Sequence, residues 1–259
     1  MESNKSNVAP AYRKTLFLDS NYIIYLSLFF KLCATVGHKP ADSSILSNET
    51  LAKCGVSKSK LEIDRLKDGK KLFDYLTGEV RQGSEIVTSR FCELEFLHLL
   101  LERQAHENLL NAGVPFRLRS KRYGFLYLTS LEPNDYVKAA GEYQQLKDTL
   151  GEYSIEMKIL EEVVDYEKQI IETTKIVIGS IMMEAPDAFV YAAAVVAEAD
   201  ELLTTDGTLK SIANKLRNPS EEGWKSIAGS FRQRLEEQSI STGEASDRVP
   251  FTLPEAKKL

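Results

Sequence analysis

The chain has 259 residues, a formal net charge of −5, 43% hydrophobic residues and 27% charged ones. This balance suits one large globular domain with a substantial core. The acidic sign argues against a nucleic-acid coat or architectural protein, while leaving room for an enzyme with a local basic patch.

Three scattered cysteines, Cys33, Cys54 and Cys92, form no C-x-x-C pair and no disulfide scaffold, and point to a reducing compartment. Residues 1–13 read as a disordered, polar lead-in without the apolar segment of a secretory signal. The run at 16–19 predicts strand one, ending in an acid. A helix is expected over about 21–36. Ile23, Ile24, Leu26, Leu28, Phe29, Phe30 and Leu32 make it apolar nearly all round, so it should be buried on more than one side. The longest apolar stretch, 22–32, is too short to span a bilayer, so a cytoplasmic protein with no membrane partner is expected. Residues 37–60 read as irregular. Leu61, Leu66, Leu72, Phe73 and Leu76 give residues 61–78 a helical stripe.

Residues 85–89 predict strand two, running into an apolar helix over 91–110 that carries Glu93 and Glu95. Residues 125–128 predict a third strand. Pro133-Asn134-Asp135 opens a helix through about 150, and a long amphipathic helix is expected over 152–183, broken near Gly179. Pro186 and Asp187 suit the start of the alanine-rich helix over 188–199. Residues 202–205 predict the fourth strand, and 209–216 and 224–238 read as helices. Residues 249–253 read as an edge strand beside Pro250 and Pro254. Strands alternating with helices predict an α/β fold with a mainly parallel central sheet and helices on both faces. The expected main domain spans 14–216, with a helical insertion around 148–183. A C-terminal helix and tail, 217–259, should pack on it.

Four acids fall where such a fold gathers ligands. Asp19 ends strand one, Glu95 follows strand two, Asp187 opens the helix before strand four, and Asp206 follows strand four. A parallel sheet directs all four to one edge, and ligands bind beyond the carboxyl ends of the strands. Clustered carboxylates suit hard cations such as Mg²⁺ or Mn²⁺, which can activate water and stabilise a phosphodiester in displacement. Glu93 is the alternative to Glu95, since the two point about 200° apart on a helix and only one can face the cleft. Each acid also has a plainer reading: Asp19 as a turn residue, Asp187 as a helix-start charge, Asp206-Gly207 as a turn dipeptide. The three histidines share no ligand spacing. Arg117, Arg119, Lys121 and Arg122, beside Tyr123 and Phe125, form the one dense basic run. It suits an RNA grip or a solvated loop.

Asp19-Ser20-Asn21 after an apolar strand resembles the opening D-[ST]-N motif of PIN-domain ribonucleases. Residues 88–95 resemble their second motif, Pro186-Asp187-Ala188 the third, and Leu202-Leu203-Thr204-Thr205-Asp206 the fourth, which often reads L-[TS]-x-D. The resemblance covers about residues 15–210. It implies a three-layer PIN-like fold and a metal-dependent endoribonuclease acting on RNA. Asp19, Glu95, Asp187 and Asp206 would be catalytic Mg²⁺ or Mn²⁺ ligands, with Asn21 and Thr205 supporting them by hydrogen bonds. The family's glutamate lies six residues beyond the serine that ends the strand, which favours Glu95. Residues 37–60, the stretch at 148–183 and about fifty residues after Asp206 depart from the compact VapC-type toxins. A toxin role with an antitoxin-like partner, and a homodimer, are further implications. The alternatives are a catalytically silent PIN-like binding or regulatory module and a DNA structure-specific nuclease.

Overall fold

Five strands of three or four residues form the centre of the protein. The computed structural model describes residues 13–53, 60–115, 130–162, 166–241 and 253–259. The strands are β1 (Thr15–Leu18), β2 (Glu85–Thr88), β3 (Met157–Ile159), β4 (Glu201–Leu203) and β5 (Glu255–Lys257). They lie in the order β3-β2-β1-β4-β5, every pair parallel. Leu16, Phe17 and Leu18 in β1 and Leu202 and Leu203 in β4 are all buried. Strands covered on both faces read as continuous apolar runs rather than alternating ones, which is why these two stand out in the sequence.

Nine α-helices are present among the described residues: α1 (Ser20–Val36), α2 (Asn48–Lys53), α3 (Lys60–Arg81), α4 (Arg90–Asn111), α5 (Pro133–Glu152), α6 (Tyr166–Ile181), α7 (Ala185–Val196), α8 (Gly207–Arg217) and α9 (Glu222–Ser241). Eight of them flank the sheet as two packed groups, α1 with α3, α4 and α5, and α6 with α7, α8 and α9, while α2 packs on the 3₁₀ turn before it. The result is the expected α/β architecture, a parallel sheet between helical layers. Helix α7 is alanine-rich, and Ala188, Ala192, Ala193 and Ala194 are fully buried. Helix α1 ends at Gly37, whose φ of 69° is the left-handed cap that glycine takes without steric cost.

The strand order fixes where a site belongs. From β1 the chain steps outward to β2 and then β3, whereas β4 returns to the other side of β1 and leads out to β5. The connections leaving β1 and β4 therefore diverge, and in open parallel sheets ligands bind at such a switch point, beyond the carboxyl ends of the strands.

Several elements differ from the sequence expectation. Residues 152–183 are not one helix broken near Gly179. β3 and a 3₁₀ turn, Leu160–Glu162, precede α6, and Gly179 lies inside α6. Three residues of buried-exposed-buried alternation, Met157, Lys158 and Ile159, are too few to override the helical pattern around them. The last described strand is at 255–257; the edge strand expected at 249–253 lies, but for Leu253, outside the described residues. Pro254 lacks an N–H, so pairing begins after it, with Glu255 N donating to Asp200 O at 3.0 Å. The tail thus supplies a strand of the central sheet. Residues 37–60 include a 3₁₀ turn, Ser43–Leu46, and α2. The third strand expected at 125–128 and the N-terminal lead-in lie outside the described residues. Arg13 is the first described residue, and its Nε donates to Gly83 O at 3.0 Å. Among the described residues no helix is long and apolar enough to cross a membrane.

Candidate functional site

Asp19 stands one residue beyond β1, at the N-cap of α1. Its backbone is held twice. Asp19 N donates to Leu203 O at 3.1 Å, extending the β1–β4 pairing by one rung, and Asp19 O accepts from Tyr22 N at 3.1 Å as α1 begins. The side chain is buried, 4% exposed. Thr204 Oγ1 donates to Asp19 Oδ2 at 2.7 Å, and Ser20 Oγ lies 3.2 Å from Oδ1. Burial pushes the carboxyl up to about 6, against the hydrogen bond from Thr204; the Glu95 charge pushes it up further, while Ser20 and Asn21 pull it down.

Glu95 enters from α4. Ser89 caps that helix, accepting from Cys92 N at 3.2 Å, which sets the helix phase. One turn on, Glu95 Oε2 meets Ser20 Oγ at 2.6 Å. A hydroxyl has one proton, so Ser20 serves either Asp19 or Glu95 at a given moment and couples the two. Glu93, on the opposite side of α4, has its charge felt at the Tyr143 hydroxyl instead. The geometry therefore selects Glu95. Phe91 of α4 stacks on Phe189 of α7 with ring centroids 4.9 Å apart, tying the helix that carries Glu95 to the one that carries Asp187.

Asp187 lies half-buried in the first turn of α7. Burial raises its pKa, and Asp206, Glu184 and Glu95 add to the rise; no lysine or arginine among the described residues offsets them. Asp206 is the N-cap of α8, its Oδ1 accepting from Leu209 N at 2.7 Å. The acids thus form an electrostatic chain at the crevice, Asp19 to Glu95 to Asp187 to Asp206. The plain capping role of Asp206 is real as well, and leaves its second oxygen uncommitted to that bond.

An all-oxygen donor set with uncompensated negative charge is the chemistry a hard divalent ion prefers. Yet among the described residues no three acids, histidines or cysteines close round one point in a geometry that would hold an ion. The four acids neighbour one another pairwise without forming a closed cage.

Two hydrogen-bonding roles belong to residues other than those expected. Thr204, not Thr205, supports Asp19, and its oxygen also accepts from Asp206 N at 3.0 Å. Ser20 is the second addition. Both positions are marked in the motifs themselves, since L-[TS]-x-D fits Leu203-Thr204-Thr205-Asp206 and D-[ST]-N places Ser20 between its polar neighbours. Strand β4 ends at Leu203, which frees Thr204 to point at β1. Asn21 also hydrogen-bonds Asp19. Arg117, Arg119, Lys121 and Arg122 lie outside the described residues. The chain matches no protein-family model, no curated protein and no solved structure.

Proposed function

We propose that this protein is a PIN-like, metal-dependent endoribonuclease whose site is the chain of acids at the β1–β4 switch point. One observation carries the reading above the others: Asp19 is a buried carboxylate with a pKa near 6, placed at a strand-end crevice beside a second acid with which it shares one serine hydroxyl. Holding like charges together costs stability, and a folding role alone gives no return for it. The order of the four motifs supports the same reading.

Asp19, Glu95, Asp187 and Asp206 would hold Mg²⁺ or Mn²⁺. When bound, such an ion supplies a Lewis acid for the phosphodiester oxygens and lowers the pKa of water. The chain's own part is to position. Thr204 and Ser20 fix the Asp19 carboxylate, the Ser89 cap and the Phe91–Phe189 stack set Glu95 against Asp187, and Leu209 N orients Asp206.

A second reading, a silent binding or regulatory module, is favoured by the open spacing of the acids, which do not close round one point among the described residues. Asp19→Asn separates the two. On a single-stranded RNA with Mn²⁺, with flap DNA in parallel, the nuclease reading expects at least a hundredfold loss of cleavage with the fold retained by circular dichroism. Wild-type cleavage by Asp19→Asn would overturn it. Calorimetry with Mn²⁺ that shows no binding to the wild-type chain would favour the silent module.

A further inference from the structure

We propose that the groove between α1, α3 and α4 seats a single RNA strand, with the Arg65 guanidinium receiving one of its phosphates; this rests on the ribonuclease reading of the neighbouring acids. The groove is a cavity of about 740 Å³. One face of α1 forms its floor, with Asn21, Tyr25 and Leu28 at helical spacing, while Lys31, Arg65 and Arg103 stand along it. From Asn21 to Lys31 the helix runs about 15 Å. Asn21 also hydrogen-bonds Asp19, so the groove opens directly on the candidate site.

The cations differ in what they already hold. Lys31 pairs with Glu142 at 2.5 Å and Arg103 with Glu107 at 3.2 Å. Arg65 makes no ion pair among the described residues, and its buried Nε finds no hydrogen-bond acceptor there. A shielded donor left unpaired is costly, and a guanidinium is a planar fork matched to phosphate oxygens. Beside it the half-buried ring of Tyr25 offers a surface on which a base can stack. Two acids, Glu62 and Glu107, also line the groove. With Glu142 on Lys31 the three cations face three acids, so the groove is no basic clamp and Arg65 is its one cation without an ion pair among the described residues. A carboxylate of an acidic protein segment is the competing anion.

The test is fluorescence anisotropy of a labelled single-stranded RNA on the full chain in EDTA, where cleavage is blocked. Arg65→Ala should weaken binding at least tenfold and lower the slope of log K against log salt by about 0.7, the loss of one phosphate contact on a single strand. Arg65→Lys, which keeps the charge without the fork, should fall between. Arg81→Ala, removing an exposed charge near the end of the same helix, should bind within twofold of wild type. With Mn²⁺, Arg65→Ala should raise KM and leave kcat in place. Wild-type RNA affinity in Arg65→Ala, or an equal loss in Arg81→Ala, would overturn the proposal. So would Arg65-dependent binding of polyglutamate without binding of RNA. These affinities are read without metal, so they stand apart from the Asp19→Asn cleavage result. If Asp19→Asn cleaves at full rate while Arg65→Ala still loses RNA, the acids fail and the groove stands.

Discussion

Thr204 and Asp19 are 185 residues apart in the chain, and the hydroxyl of one lies 2.7 Å from the carboxylate of the other. The same Thr204 oxygen accepts from Asp206 N at 3.0 Å. One side chain therefore links the acid after β1 to the acid that caps α8, across the two strands whose connections diverge. The backbone bond from Asp19 N to Leu203 O runs beside it. The site is held by β1–β4 pairing, and its carboxylates inherit the rigidity of the sheet's centre.

Thr204→Val should destabilise the protein in a pH-dependent way. Asp19 has a folded pKa near 6, above the 3.8 of a free carboxyl. The folded state therefore binds the extra proton, and this group's contribution is greatest below about pH 4 and is lost as pH rises through 6. The full rise is worth on the order of 3 kcal/mol. Removing the Thr204 donor withdraws support from the ionised form and pushes the carboxyl higher still. The cost, about 1–3 kcal/mol for an unsatisfied buried group, should be larger at pH 8 than at pH 4.5, above a pH-independent part from the lost acceptor of Asp206 N. Asp19→Asn should show the reverse sign, gaining stability over wild type at pH 8. Urea denaturation across pH checks both, and a Thr204→Val cost that is flat with pH would count against the pairing.

The legibility of this site was uneven for physical reasons. Asp19, Glu95, Asp187 and Asp206 could be picked out because each follows or opens an element whose apolar pattern is strong. β1 and β4 are buried on both faces, and α7 is nearly all alanine and valine where it meets the sheet. Helix phase allows only one of Glu93 and Glu95 to face the cleft, and the spacing from Ser89 in the resembled motif favours Glu95. Thr204 is hard to single out because two threonines stand together, and only the point where β4 stops decides which one reaches Asp19. β3 was hidden because a three-residue edge strand carries too little alternation to register. The groove beside α1 was invisible for another reason. The apolar run of that helix points to burial on more than one side but does not say which side stays open; Ile24, Tyr25 and Leu28 are only half-buried and line a cavity.

Gly69→Ala should destabilise the protein although alanine is the better helix former. A Cβ at Gly69 on α3 would lie 2.3 Å from the Tyr25 carbonyl oxygen and 3.0 Å from Phe29 Cβ on α1. The first contact is with backbone, which cannot swing away, so the two helices must part. Overpacking of this kind costs about 1–3 kcal/mol, against a helix-propensity gain of about 1 kcal/mol. Thermal unfolding should show a lower Tm than Gly78→Ala, where the added methyl meets nothing within 4 Å. Equal Tm values would mean that α1 and α3 can separate without cost.

Glu201→Gln should weaken the opposite end of the sheet and do so only away from acid pH. Glu201, at the start of β4, is 5% exposed. It accepts from Lys14 ahead of β1 at 2.8 Å, from Lys257 of β5 and from the Tyr75 hydroxyl of α3. Burial alone would raise its pKa, but the hydrogen bonds from Lys14, Lys257 and Tyr75 together outweigh it and hold the carboxyl below the usual range. A carboxyl held down in the folded state contributes stability above its unfolded pKa, near 4.5, and loses it as pH falls through the lower folded value. Both lysines are about a third exposed, so solvent screening trims the loss below the 3–5 kcal/mol of a fully buried pair, to about 2 kcal/mol. Chemical denaturation at pH 7 should show that deficit, and it should shrink as pH falls below 4.5. β5 is short and reaches the sheet through this cluster and its pairing with β4, so exchange of the Glu255 amide, which donates to Asp200 O, should accelerate in the variant before exchange in β1 does. Exchange that rises equally in both strands would mean that the cluster supports the whole sheet rather than its edge.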